Sequence, residues 1–179
     1  MTALAETTLD PLVQQAWQVL ESLTDPEIPV VTLRDMGIVR EVLRREDGLE
    51  VIITPTYSGC PAMGQIEDDV RVTVQQLGVP VRITTRLSPA WTTDWMNDAA
   101  REKLRAYGIA PPQRCAPASE NVVQFAPRAT LRLTTADHPA CPHCGSSHTT
   151  EVSHFGSTAC KALYKCLSCL EPFDYFKPY

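Results

Sequence analysis

Apolar side chains recur at Leu12, Ala16, Val19, Leu20 and Leu23, the spacing of one helix face, and Asp10-Pro11 provides a cap followed by a proline at the first helical position. This pattern predicts a helix that ends near Asp25-Pro26. Valine- and isoleucine-rich runs follow from Gly37 to Leu43 and from Leu49 to Thr54. Between them Glu46-Asp47-Gly48 predicts a tight hairpin turn with its glycine at positive φ. Met63, Ile66, Val70, Val74 and Leu77 return to helical spacing until Gly78 stops the helix and Pro80 prevents its continuation.

Val81, Ile83, Thr85 and Leu87 then alternate with Arg82, Thr84 and Arg86, as a strand with one wet face does. A last helix is expected from about Asp94 to Tyr107, closing at Gly108. The order helix, strand, strand, helix, strand, helix predicts an α+β chain whose first 110 residues form a small alpha/beta domain with helices packed on a mixed sheet. Residues 111–139 carry five prolines and little periodicity, although Ala129 to Thr134 has the character of a strand; this stretch is expected to be a linker.

Length adds that 179 residues suffice for one domain with its own core and one small module that needs an outside staple. A net charge of -5 argues against a nucleic-acid binder, which carries a basic face to displace counterions. No apolar run is long enough for a signal core or a membrane span, so a cytoplasmic protein is expected.

Cysteine usage changes the picture most. There are seven cysteines, and four of them form two Cys-x2-Cys pairs, Cys141/Cys144 and Cys166/Cys169, separated by 21 residues. With no export signal, this spacing favours metal over disulfides, and four thiolates suit a closed tetrahedral zinc site. Residues 140–179 are therefore expected to be a zinc ribbon; an iron-sulfur cluster on the same thiolates and a redox dithiol are the competing readings. His143 and His148 are expected to be solvent-facing loop residues, and Cys160, between the knuckles, to be core more than ligand. A closed four-sulfur site leaves no coordination position for substrate, so its work is to hold shape. Tyr164, Phe173, Tyr175, Phe176 and Tyr179 are divided between the module's core and a surface for a partner.

Cys60 stands apart, in Thr54-Pro-Thr-Tyr-Ser-Gly-Cys60-Pro61, just before the second helix. Unpaired amides at a helix start favour an anion, so a lowered thiol pKa is expected there. Asp25, Glu27 and Asp35 lie in loops before the first strand, where acids beside proline or glycine commonly stabilise turns. All four histidines fall at position 138 or later, and neither a nucleophile elbow nor a phosphate loop is present, so the chain is not expected to be catalytic itself.

Asp25-Pro-Glu-Ile-Pro-Val-Val, Asp35-Met-Gly-Ile-Val and the Thr54–Pro61 segment resemble the SufT/PaaD-type domain associated with iron-sulfur protein maturation. Phe155-Gly-Ser-Thr-Ala-Cys160-Lys-Ala-Leu-Tyr and Glu171-Pro-Phe-Asp-Tyr-Phe-Lys-Pro are similar to the PaaD branch of that family, which is encoded with the multicomponent phenylacetyl-CoA epoxidase of aerobic phenylacetate breakdown. The resemblance implies an accessory factor that assists assembly or delivery of an iron-sulfur cluster, the client being the ferredoxin-type reductase or another epoxidase subunit. It maps the family's characteristic cysteine onto Cys60, with Asp25, Glu27 or Asp35 shaping a site for transient iron or a cluster. One thiolate binds a cluster poorly, so further ligands are expected from Cys160, Cys115, a second copy in a homodimer or the client. The alternative is a structural subunit or scaffold of the epoxidase without metal trafficking.

Overall fold

Asp10 opens the first helix as the sequence pattern requires: its Oδ1 accepts the Leu12 amide at 2.8 Å, and Pro11 occupies the first turn where no amide is needed. In the computed structural model, which describes residues 10–113 and 138–179, α1 runs over Pro11–Leu20 and stops short of Leu23. Two compact units follow from the chain's contacts, Met1–Trp91 and Thr92–Tyr179.

In the first unit, β1 (Val39–Arg44) pairs antiparallel with β2 (Leu49–Ile53), and β2 pairs parallel with β3 (Val81–Thr85). α2 (Met63–Gln75) is the crossover between β2 and β3. The sheet is thus mixed, in the order β1-β2-β3. Ile66, Val70 and Val74 of α2 and Ala16 and Leu20 of α1 are buried, as are Val51 and Ile53 of β2. The loop before β1 adds Val31, Leu33, Met36 and Ile38 to this core. Trp91 ends the unit, buried, with Nε1 donating to the Met36 carbonyl at 2.9 Å.

The glycine of the first hairpin is required for a different reason from the one expected. Gly48 is not at positive φ; instead, a Cβ there would lie 2.1 Å from the Pro80 carbonyl oxygen, because the Leu49 amide donates to that oxygen at 2.9 Å. Close backbone approach, not turn handedness, selects glycine. Gly78 does adopt the expected left-handed stop, at φ 75°.

In the second unit, the expected helix over 94–107 is broken in two. A single 3-10 turn spans Thr93–Trp95, and α3 (Asp98–Ala106) starts afresh, with Asn97 Oδ1 accepting the Ala100 amide at 2.7 Å. Asn97-Asp98 is an N-cap followed by an acid in the first turn, and this local signal outweighs continued periodicity. Past Gly108, β4 (Ile109–Ala110) pairs parallel with β7 (Pro172–Phe176). β7 pairs antiparallel with β6 (Lys161–Cys166), and β6 with β5 (Thr149–Ser153). The sheet order is β4-β7-β6-β5. Ala110, Ala162, Tyr164, Phe173 and Tyr175 form its small core together with Cys141 and Cys166. Cys115 and the expected strand from Ala129 to Thr134 lie outside the described residues. No helix among the described residues is long and apolar enough to cross a membrane.

Candidate metal centre and thiol site

The first knuckle precedes β5, and the second joins β6 to β7, so the sheet's own pairing carries the two Cys-x2-Cys segments to one end. Each knuckle folds by local backbone bonds. The Gly145 amide donates to the Cys141 carbonyl, and the Cys141 amide to the Ser146 carbonyl, both at 2.9 Å. In the second knuckle the amides of Ser168 and Cys169 each donate to Cys166 Sγ at 3.4 Å. The residue after each second cysteine turns left-handed: Gly145 at φ 75° and Leu170 at φ 68°. Glycine does this without strain, whereas leucine places a Cβ against its own backbone. The knuckles are tied by Ser146 Oγ and Ser168 Oγ at 2.8 Å, and by the Leu167 amide donating to the His148 carbonyl at 2.8 Å.

The result is a four-sulfur cage. Cys141 Sγ lies 3.7 Å from Cys169 Sγ, Cys144 Sγ lies 3.6 Å from Cys166 Sγ, and all four sulfurs fall within 4.8 Å of one another. A tetrahedron of zinc-sulfur bonds of about 2.3 Å has edges of about 3.8 Å, so the donor set and its spacing fit a structural zinc ion. Cys141 and Cys166 are buried, while Cys144 is exposed. Bonds from the Cys169 and Ser168 amides draw the Cys166 thiol down to about 6, so it is ready to ligate as a thiolate near neutral pH. His143 and His148 are exposed and stand outside the cage, as expected of loop residues. Cys160 is buried at the start of β6, with Thr158 Oγ1 3.0 Å from its sulfur. The serine pair that joins the knuckles had no signal in the cysteine spacing.

Cys60 sits three residues ahead of α2, its amide donating to the Tyr57 carbonyl at 3.2 Å and its carbonyl accepting the Met63 amide at 3.4 Å. Its pKa moves opposite to expectation. Half-burial raises it foremost, and Glu27 and Asp25 raise it further, against the lowering bonds from the Ala62 and Met63 amides. The structure therefore brings Glu27 and Asp25 to the thiol. Asp25 Oδ1 also accepts the amides of Glu27 and Ile28 at 2.8 and 2.9 Å, a turn-forming role. Asp35 exchanges two bonds with Thr32: its amide donates to Thr32 Oγ1 at 3.0 Å, and its Oδ2 accepts the Thr32 amide at 3.4 Å. Among the described residues, the four cysteines are the only group of three or more His, Cys, Asp or Glu side chains spaced to share one ion.

Two family models match. The PaaD zinc beta ribbon domain covers residues 126–177, and the iron-sulfur cluster assembly protein covers residues 13–85. A protein of Escherichia coli (strain K12), named as the D component of a "Putative 1,2-phenylacetyl-CoA epoxidase", is 46% identical over 172 residues, 96% of each chain. A "Fe-S protein maturation auxiliary factor" of Porphyromonas gingivalis is 37% identical over 90 residues, 49% of this chain and 85% of that one. The crystal structure of a domain of unknown function, DUF59, from Bacillus anthracis matches with TM-score 0.48 and 27% identity over 52% of this chain and 91% of that one.

Proposed function

The chain belongs to the PaaD family, whose members are named as components of the phenylacetyl-CoA epoxidase, and from that premise we propose that it is an accessory maturation factor for such an epoxidase, acting in the cytoplasm. Cys60 holds iron or an iron-sulfur cluster in transit to the ferredoxin-type reductase or another epoxidase subunit, and residues 140–179, stapled by zinc on Cys141, Cys144, Cys166 and Cys169, dock that client. The observation that carries the reading is the surroundings of Cys60. Two carboxylates, Glu27 and Asp25, and two helix-start amides act on one half-buried thiol, in the segment that matches the iron-sulfur assembly family.

The thiol is kept protonated when nothing is bound, and a cationic metal centre reverses the sign of the carboxylates' effect, because the charges that oppose a bare thiolate attract a cation. Cys60 and its two acids do not form a ready three-ligand cage. The remaining ligands come from a second copy of the chain or from the client, which suits a carrier that must release its cargo. The decisive comparison is the iron and sulfide content of the reductase component in cells carrying wild type or Cys60→Ala; equal content in both would refute the carrier role. The match to a protein named as an epoxidase component favours one second reading, a scaffold that remains in the complex. Stoichiometric co-purification with the oxygenase subunits, unchanged by Cys60→Ala, is its signature.

A further inference from the structure

The two C-terminal segments that carry the family resemblance, Phe155–Tyr164 and Glu171–Pro178, meet around a cavity of about 270 Å³ on the second unit. Its walls include Tyr164, Tyr175, Tyr179, Glu151, His154 and Lys177. The volume lies just below the range of small-molecule sites, about 300–1,000 Å³, and suits a single side chain better than a cofactor.

The rings are set as walls. Tyr164 and Tyr175 meet edge to face, with centroids 5.4 Å apart and planes at 81°, and Phe173 stacks on Tyr164 at 5.9 Å and 29°. A carboxylate completes the enclosure: Tyr164 OH donates to Glu151 Oε2 at 3.2 Å, which turns the glutamate toward the rings. Glu151 retains 41% of its side-chain exposure, so its charge is available at the rim. Electron-rich ring faces beside a carboxylate attract a cation and repel an anion. The chain's own cation at this site is engaged elsewhere. Lys177 Nζ lies 4.5 Å over the Phe155 ring and donates to the His154 carbonyl at 3.3 Å. His154 Nδ1 approaches the other Glu151 oxygen, at 3.6 Å.

We propose that this cavity receives an arginine side chain of a partner protein, the guanidinium lying against the tyrosines and its N–H fork meeting Glu151. Arginine fits better than lysine because its planar, weakly hydrated head can stack on a ring and bond a carboxylate at once. The proposal rests on the docking role assigned above to the ribbon and supplies its chemistry. Phe155, 64% exposed beside Lys177, offers an apolar shoulder for residues flanking that arginine.

The test is a titration of the zinc-loaded full-length chain with N-acetyl-arginine amide, followed by amide NMR, with the neutral isostere N-acetyl-citrulline amide as control. Saturable shifts at Tyr164, Tyr175 and Tyr179 are expected, with citrulline about tenfold weaker. Glu151→Gln, which leaves the fold and zinc content unchanged, is expected to weaken arginine about fivefold, and Tyr179→Leu, at a half-exposed ring, to do the same. Absence of saturable shifts, equal binding of citrulline, no effect of Glu151→Gln, or tighter binding of phenylacetate at the same resonances would each overturn it. None of these outcomes bears on Cys60, whose role is read separately from cluster content in cells.

Discussion

Cys144 Sγ and Cys166 Sγ lie 3.6 Å apart although 22 positions separate them in sequence, and the pairing of β5 with β6 is what brings them together. Thr149 sits opposite Cys166 in that ladder, so the strand leaving the first knuckle starts where the second knuckle begins. The metal-binding residues and the sheet register are therefore one structural fact.

Cys166→Ser is expected to lower zinc from about one ion per chain to near none and to unfold the ribbon, because structural zinc supplies much of such a module's folding energy. Metal analysis and near-UV circular dichroism read both effects. A strong chelator should act on the wild type in the same direction, while the core around Val51 and Val70, which contains no metal ligand, keeps its far-UV signal.

Alkylation of Cys60 should follow a pH profile with its midpoint above the usual thiol value of about 8.5. Glu27→Gln should shift the midpoint down by less than full exposure of the thiol would, since burial is the larger cause. The folded state favours the protonated thiol. Its contribution to stability is thus fully present below the unfolded thiol's pKa and is lost as pH rises through the folded one. Denaturant titrations of wild type and Cys60→Ser across the alkaline range test that sign.

Lys161 is buried, and its Nζ lies 3.3 Å from Asp174 Oδ2, which also accepts from Ser157 Oγ at 2.9 Å. Removing one partner strands a buried charge. Asp174→Leu alone is expected to cost about 3 kcal/mol, whereas adding Lys161→Met should recover much of that loss. A double-mutant cycle by denaturant unfolding gives the coupling.

Gly48→Ala should destabilise by about 1–3 kcal/mol, because the new Cβ collides with backbone at Pro80 that no side chain can vacate. Gly64→Ala, in the first turn of α2 with nothing within 4 Å of the new atom, should be neutral or stabilising by up to about 1 kcal/mol. Their difference in thermal midpoint separates steric demand from helix propensity.

Sequence alone determined what depends on near neighbours. The cap at Asp10, the stop at Gly78 and the periodicity of Ile66, Val70 and Val74 are short-range preferences, so α1, α2 and the strands could be read directly. Paired thiols two residues apart likewise fit a shared ion through their spacing, and the cage assembled from those four cysteines. Where local signals compete, the reading failed: the cap at Asn97 split a helix that periodicity alone had joined.

What remained depends on atoms distant in sequence. Gly48 is needed because of Pro80, and the Cys60 thiol is raised because burial and the carboxylates of Glu27 and Asp25 oppose the helix-start amides. The tyrosine cavity exists because β6 and β7 pair, with Ala162 opposite Tyr175. Desolvation, steric contact and ring geometry act through space, and only the folded chain sets which groups share that space.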